Sequence, residues 1–95
     1  MSVIFPNQSR SYDPARNAVR FWGYDSTLEA SFFIAAEVLR RLQPSAGHDE
    51  ASLLRAFDAN RDLICTTAAR LYTRGSRPFY ELAASDFRAA KALGR

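Results

Sequence analysis

The chain has 95 residues, 47% of them hydrophobic and 24% charged, with a net charge of +3. That length supports one compact core and excludes a second domain, and a charge this small sets solubility more than choice of partner. Its single cysteine, Cys65, excludes an intrachain disulfide.

Twelve of the thirteen basic residues are Arg, and Lys91 is the only Lys. Arg presents a planar fork that fits phosphates and carboxylates, so the bias is compatible with polyanion binding. Ordinary solvated Arg is the simpler account, because the positive excess is spread along the chain. The first residues contain no basic segment followed by an apolar stretch, and the longest strictly apolar run is Phe32 to Ala36. A membrane-crossing helix needs about 20 apolar residues, so the expectation is a soluble, cytoplasmic protein without membrane association.

In chain order, Val3-Ile4-Phe5 is a short apolar run stopped by Pro6, expected to be an edge strand or an arm packed on the sheet. Asp13-Pro14-Ala15-Arg16-Asn17 has the residues of a type I turn, with Asn17 tolerant of a left-handed backbone. Ser11-Tyr12 should therefore pair back against Ala18-Val19. From Ala18 to Ile34 aromatic and β-branched residues alternate with polar or small ones, the period of half-buried strands. A two-residue turn at Asp25-Ser26 sets Gly23 opposite Leu28, Phe21 opposite Ala30 and Val19 opposite Phe32 on one face. Trp22 then lies beside Glu29 and Arg20 beside Ser31 on the other face, with Tyr24 and Phe33 near its ends.

After Ile34 the period becomes helical, with Ala35, Val38, Leu39 and Leu42 on one side, and Pro44 ends that helix. Asp49-Glu50 opens the next helical stretch, whose stripe is Leu53, Phe57, Ile64, Ala68 and Leu71, with Gly75 as a left-handed cap. The stretch is either one long helix or two, with Asp58 capping a second that begins at Ala59. Phe79 to Ala83 is a final strand, and Ser85 caps a terminal helix over Asp86 to Leu93, closed by Gly94. The sum is an α+β domain with an antiparallel meander sheet, order β-β-β-α-α-β-α, and helices packed on one face.

Several short pieces resemble the family known as domain of unknown function 1488. They are Ile4-Phe5-Pro6, Tyr12-Asp13 leading to Ala18-Val19-Arg20-Phe21, and Ala56-Phe57-Asp58 followed by Arg61. Ala68-Ala69, Tyr72, Arg74-Gly75, Tyr80, Leu82 and Asp86-Phe87 complete the set. The resemblance implies a small α+β domain with a meander sheet. It implies no activity and carries no catalytic or ligand residues.

Catalysis finds no foothold in the residues themselves. His48 is the only histidine and sits in a Gly-containing loop, where no second His can share acid–base or metal work. Cys65 lies mid-helix at the border of the apolar stripe, without an adjacent cation to activate it. The four glycines are isolated, so no phosphate loop is present, and the acidic residues lack a calcium-loop spacing. The chain is read as non-enzymatic, without cofactor or metal.

What remains is surface. Arg20, Trp22, Tyr24 and Phe33 share the sheet face opposite the hairpin core, and Phe79 extends the patch if the last strand joins in register. Either the chain covers this patch itself, through Val3 to Phe5 or a terminal helix carrying Phe87 and Leu93, or a partner does. The favoured partner is a protein, most simply a second copy in a homodimer, since Trp, Tyr and Arg dominate such contacts. The alternative is single-stranded nucleic acid, with bases stacked on the aromatics and phosphates held by Arg20 and the basic patch Arg70, Arg74 and Arg77. Glu29 beside Trp22, and the low net charge, weigh against that alternative.

Overall fold

The computed structural model describes residues 3–6, 9–72 and 77–87. Strands β1 (Arg10–Asp13), β2 (Ala18–Asp25) and β3 (Leu28–Ala35) form the expected meander. Helices α1 (Ala36–Leu42), α2 (Glu50–Ala59) and α3 (Arg61–Leu71) follow, then β4 (Tyr80–Leu82). A last helix, α4, occupies residues 84–87 of the described chain. The class is α+β, with one four-stranded sheet in the order β1-β2-β3-β4.

The β1–β2 turn follows its sequence chemistry. Asp13 Oδ1 accepts from the backbone N–H of Ala15 at 3.0 Å, and Asn17 adopts a φ of 51°. Tyr12 pairs with Val19 and Ser11 with Arg20.

The second hairpin departs from expectation. Its turn is Ser26-Thr27, with Ser26 at φ 61°, and Asp25 pairs with Leu28. The register is thus two residues from the one read off Asp25-Ser26: Phe21 faces Phe32 and Val19 faces Ile34. A shift of two leaves every side chain on its expected face. The observed register sets large apolar side chains directly opposite one another, and Phe21 stacks on Phe32 with centroids 5.4 Å apart. It also draws Asp25 out of the turn into a buried strand end, where the Tyr72 hydroxyl donates to its carboxylate at 2.9 Å.

Other differences lie further along. The helical stretch after Asp49 is two helices, separated at Asn60 rather than capped by Asp58. Asn60 leaves the helical backbone and donates its side-chain amide to the Ala56 carbonyl at 2.9 Å, the local competition that makes Asn a helix interrupter. β4 covers Tyr80–Leu82 rather than Phe79 to Ala83, and it pairs with β3 in parallel. A parallel neighbour requires a long crossover, and α1 to α3 supply it. α4 starts ahead of Ser85: the Asp86 carboxylate accepts from the Ala83 N–H at 2.7 Å, closing that helix start. The expected end of this helix, at Leu93 and Gly94, lies outside the described residues, as does the Gly75 cap.

The core is one layer between the sheet and the helices. Val19, Phe21, Phe32, Ile34, Tyr80 and Leu82 project from the strands, and Leu39, Leu53, Phe57, Ile64 and Ala68 meet them from α1, α2 and α3. Arg10 of β1 ties the sheet to α2 by a two-pronged pair with Asp58, at 2.9 and 2.8 Å.

Residues 3–5 are the packed arm that the sequence allowed. Ile4 and Tyr24 exchange two backbone hydrogen bonds of 2.9 and 2.8 Å. Val3 is buried, and the Phe5 ring lies 5.8 Å from Phe21 and 5.5 Å from Phe32. The seat exists because residue 23 has no side chain. A Cβ there would collide with the Ile4 carbonyl oxygen and the Phe5 ring.

Two outcomes follow. Gly23→Ala forces the arm off its seat and lowers stability by about 1–3 kcal/mol, read from chemical denaturation midpoints. The Arg10 hydrogen bonds hold the Asp58 carboxyl below its ordinary value. A depressed folded pKa contributes stability that is present above the unfolded value and lost as pH falls through the folded one. Asp58→Asn should therefore cost about 0.5–1 kcal/mol at neutral pH, a difference that vanishes in strong acid.

Candidate interface on the outer sheet face

All the core contacts of the helices lie on one side of the sheet. The opposite side carries Arg20, Trp22 and Tyr24 of β2, Glu29, Ser31 and Phe33 of β3, and Glu81 of β4. Among the described residues no helix is packed there. Arg20 anchors the centre. Its guanidinium lies 4.7 Å from the Trp22 ring centroid, donates to Ser31 Oγ at 2.9 Å, and stands 3.5 Å from a Glu29 carboxylate oxygen. The cation over the indole face holds both side chains in one arrangement.

The five aromatic and cationic residues singled out in the sequence divide into two groups. Phe33 and Phe79 meet edge to face at 5.5 Å, and Arg16 covers both rings, at 4.4 and 4.6 Å. Arg16 reaches there from the β1–β2 turn and is fixed by Glu81 at 3.1 Å, leaving Phe33 only 9% exposed. This end of the face is closed by the chain itself. Arg20, Trp22 and Tyr24 form the other group, and each is half-buried.

Sequence reasoning misses two members of this face. Arg16 reads only as a turn residue, and no periodicity says that a turn will fold a guanidinium back over a sheet. Ile4 reads as part of an apolar arm. Its bridge to Tyr24 places it beside that ring on the outer side, 59% exposed, while Val3 and Phe5 go to the core. Alternation in the arm is the available signal. Of the other candidate covers, Phe87 is buried in the core cluster, and Leu93 is outside the described residues.

The proposed basic patch is less open than its sequence suggests. Arg70 donates to the Asp86 backbone carbonyl at 3.3 Å, and Arg77 lies 5.4 Å from the Tyr80 ring centroid. Arg74 lies outside the described residues. His48 is exposed in the α1–α2 loop. Cys65 is half-buried, and burial pushes its thiol above the ordinary value, against the opposing pull of Arg61. Among the described residues no group of three or more His, Cys, Asp or Glu side chains is placed to hold a metal ion. A cleft of about 270 Å³ beside α2 is lined by Gln43, Ser45, Ser52 and Arg55. A second, of about 320 Å³, adjoins Arg16, Phe33 and Glu81 on the outer face.

A family model for proteins of unknown function, DUF1488, matches residues 3–83. The chain belongs to the DUF1488 family. No curated protein and no solved structure matches it. The DUF1488 match runs from the arm to the residue after β4, so the outer face lies wholly within it, Ile4 and Glu81 included. No described helix of this DUF1488 chain is long and apolar enough to cross a membrane.

Cys65 provides a direct check on the site chemistry. A thiol held in its protonated form reacts slowly, so labelling of the folded chain at mildly alkaline pH should be slower than labelling of the same chain in denaturant. A faster rate in the folded state would restore Cys65 as a nucleophile.

Proposed function

We propose that this chain acts by protein contact through the outer sheet face centred on Trp22, and that it is not an enzyme. The observation that carries this reading is the row of Ile4, Tyr24 and Trp22 reaching solvent on the side of the sheet that bears none of the described helices. Large apolar and aromatic side chains grouped on an open face mark interaction sites, and Trp, Tyr and Arg are the types that carry the energy of such contacts. The Arg20–Trp22 stack supports the reading, because a side chain already held in place loses less freedom on binding.

The same face favours protein over nucleic acid. Arg20 is engaged by Glu29 and Ser31, and Arg16 by Glu81, so each of these two cations on the face has a carboxylate beside it. Phosphate binding needs unopposed positive charge. The lone cysteine suits a reducing compartment, and the site of action is the cytoplasm.

Photo-crosslinking in cells tests the reading. A photoreactive phenylalanine analogue replaces Tyr24 in one variant and Arg55, on the exposed side of α2, in another. Adducts to protein are expected from position 24 and not from position 55. Absence of adducts from position 24, or adducts to RNA alone, would overturn the proposal.

A further inference from the structure

We infer that the occupant of the outer face is a second copy of this chain, packed about a twofold axis that crosses the strands at the Trp22–Ser31 row and sets Arg20 of each copy against Glu29 of the other. The inference rests on the outer face being the contact surface, and it names the partner.

The argument is one of position and sign. In the β2–β3 ladder Trp22 is opposite Ser31, Arg20 is opposite Phe33, and Tyr24 is opposite Glu29. Arg20 and Glu29 therefore lie one step to either side of the central row, on neighbouring strands. A twofold contact is self-complementary: if residue i of one copy meets j of the other, then j also meets i. A twofold axis lying between the two faces, passing through the central row and tilted about 20° from it so as to be perpendicular to the Arg20–Glu29 diagonal, exchanges the positions of Arg20 and Glu29 and brings Trp22 against the same row of the partner. An axis along the row itself sets Arg20 against Tyr24 and Glu29 against Phe33, so the opposite charges of the two copies do not meet. The operation runs the two sets of strands antiparallel with a crossing of about 40°, close to the roughly 30° at which aligned sheets pack.

The intrachain Arg20–Glu29 contact does not use up either group. It is long, at 3.5 Å, and the side chains remain 37% and 47% exposed. Arg20 has five N–H donors, one of them on Ser31, and the carboxylate of Glu29 has further acceptor sites. Pairing across the axis therefore adds to the intrachain pair.

The test uses reversed charges in the full-length chain. Sedimentation equilibrium of the wild type is expected to show dimers at micromolar concentration. Arg20→Glu places acid against acid at both cross-axis contacts, and Glu29→Arg places base against base. Each single variant should dimerise at least about tenfold more weakly. Mixed in equal amounts, the R20E and E29R chains should associate with each other, because opposite signs then meet at both contacts. The intrachain pair is lost in both partners of that mixture, so recovery reports only the contact between chains. Circular dichroism and the unfolding midpoint confirm that each variant is folded.

A wild type that stays monomeric at high micromolar concentration overturns the inference, as do single variants that dimerise normally or a mixture that does not recover. If the wild type is monomeric while position 24 still crosslinks to other proteins in cells, the second copy is wrong and the contact face stands. If position 24 crosslinks to nothing, both are wrong.

Discussion

Phe21 stacked on Phe32 across β2 and β3 is the interaction on which the rest depends. It sets the hairpin register, and the register assigns each neighbour its side of the sheet. Phe57 of α2 packs on Phe21 at 5.0 Å, Tyr80 of β4 stacks on Phe32 at 5.3 Å, and Phe5 of the arm touches both. One pair of rings thus meets a helix, the last strand and the amino-terminal arm. Because cores are packed close to crystal density, a loss at this point is felt by all of those elements at once. The outer face depends on it equally. Were the strands slipped by one residue, Trp22 and Arg20 would turn inward and the apolar rings outward.

Gly23 connects the two sides. On the core side its missing side chain makes the seat for Phe5, and the same backbone approach lets Ile4 bond to Tyr24. Alternation along the arm then sends Phe5 inward and Ile4 outward. Core packing and the makeup of the outer face are in this way set by a single residue without a Cβ. The arm is held by two backbone bonds, the buried Val3 and the half-buried Phe5 ring, so the apolar row at Ile4 is present only while these are seated.

The sequence makes the faces legible and leaves the register open. Period-two alternation from Ala18 to Ile34 assigns the paired side chains to the correct faces, since parity survives a shift of two. The same pattern leaves Asp25 in the turn and counts Leu28, which is exposed, with the core. It cannot choose between Asp25-Ser26 and Ser26-Thr27 as the turn, because both pairs consist of turn-forming residues. Cross-strand pairing of Phe21 with Phe32 settles that choice, and it is a tertiary fact. The helix break is misplaced for a related reason: Asp58 and Asn60 are both capping residues, and Asp58 is taken by Arg10, from a strand distant in sequence. The parallel entry of β4 is topology, which no local pattern encodes. On the outer face, Arg20, Trp22 and Tyr24 are legible by parity. Arg16 is not, since it arrives from a turn whose path is set by the fold, and alternation in the arm gives the side of Ile4 only once the arm is known to pair with Tyr24.

The composition of the outer face separates two contributions that are often merged. Its charges are paired within the chain, so bringing Arg20 and Glu29 against a partner exchanges one set of ion pairs for a larger one, and such exchanges yield modest affinity once desolvation is counted. In the proposed contact the role of the charges is choice of register and rejection of wrong partners. The driving force of the proposed contact is assigned to Trp22, Tyr24 and Ile4, the apolar surface that such a contact takes out of water. Arg16 sharpens this division by closing the Phe33–Phe79 end of the sheet with a guanidinium held on Glu81. The apolar surface of the outer face is therefore confined to the end of the sheet where the arm is seated, and Arg20 and Glu29, to which the proposal assigns the direction of the contact, flank it.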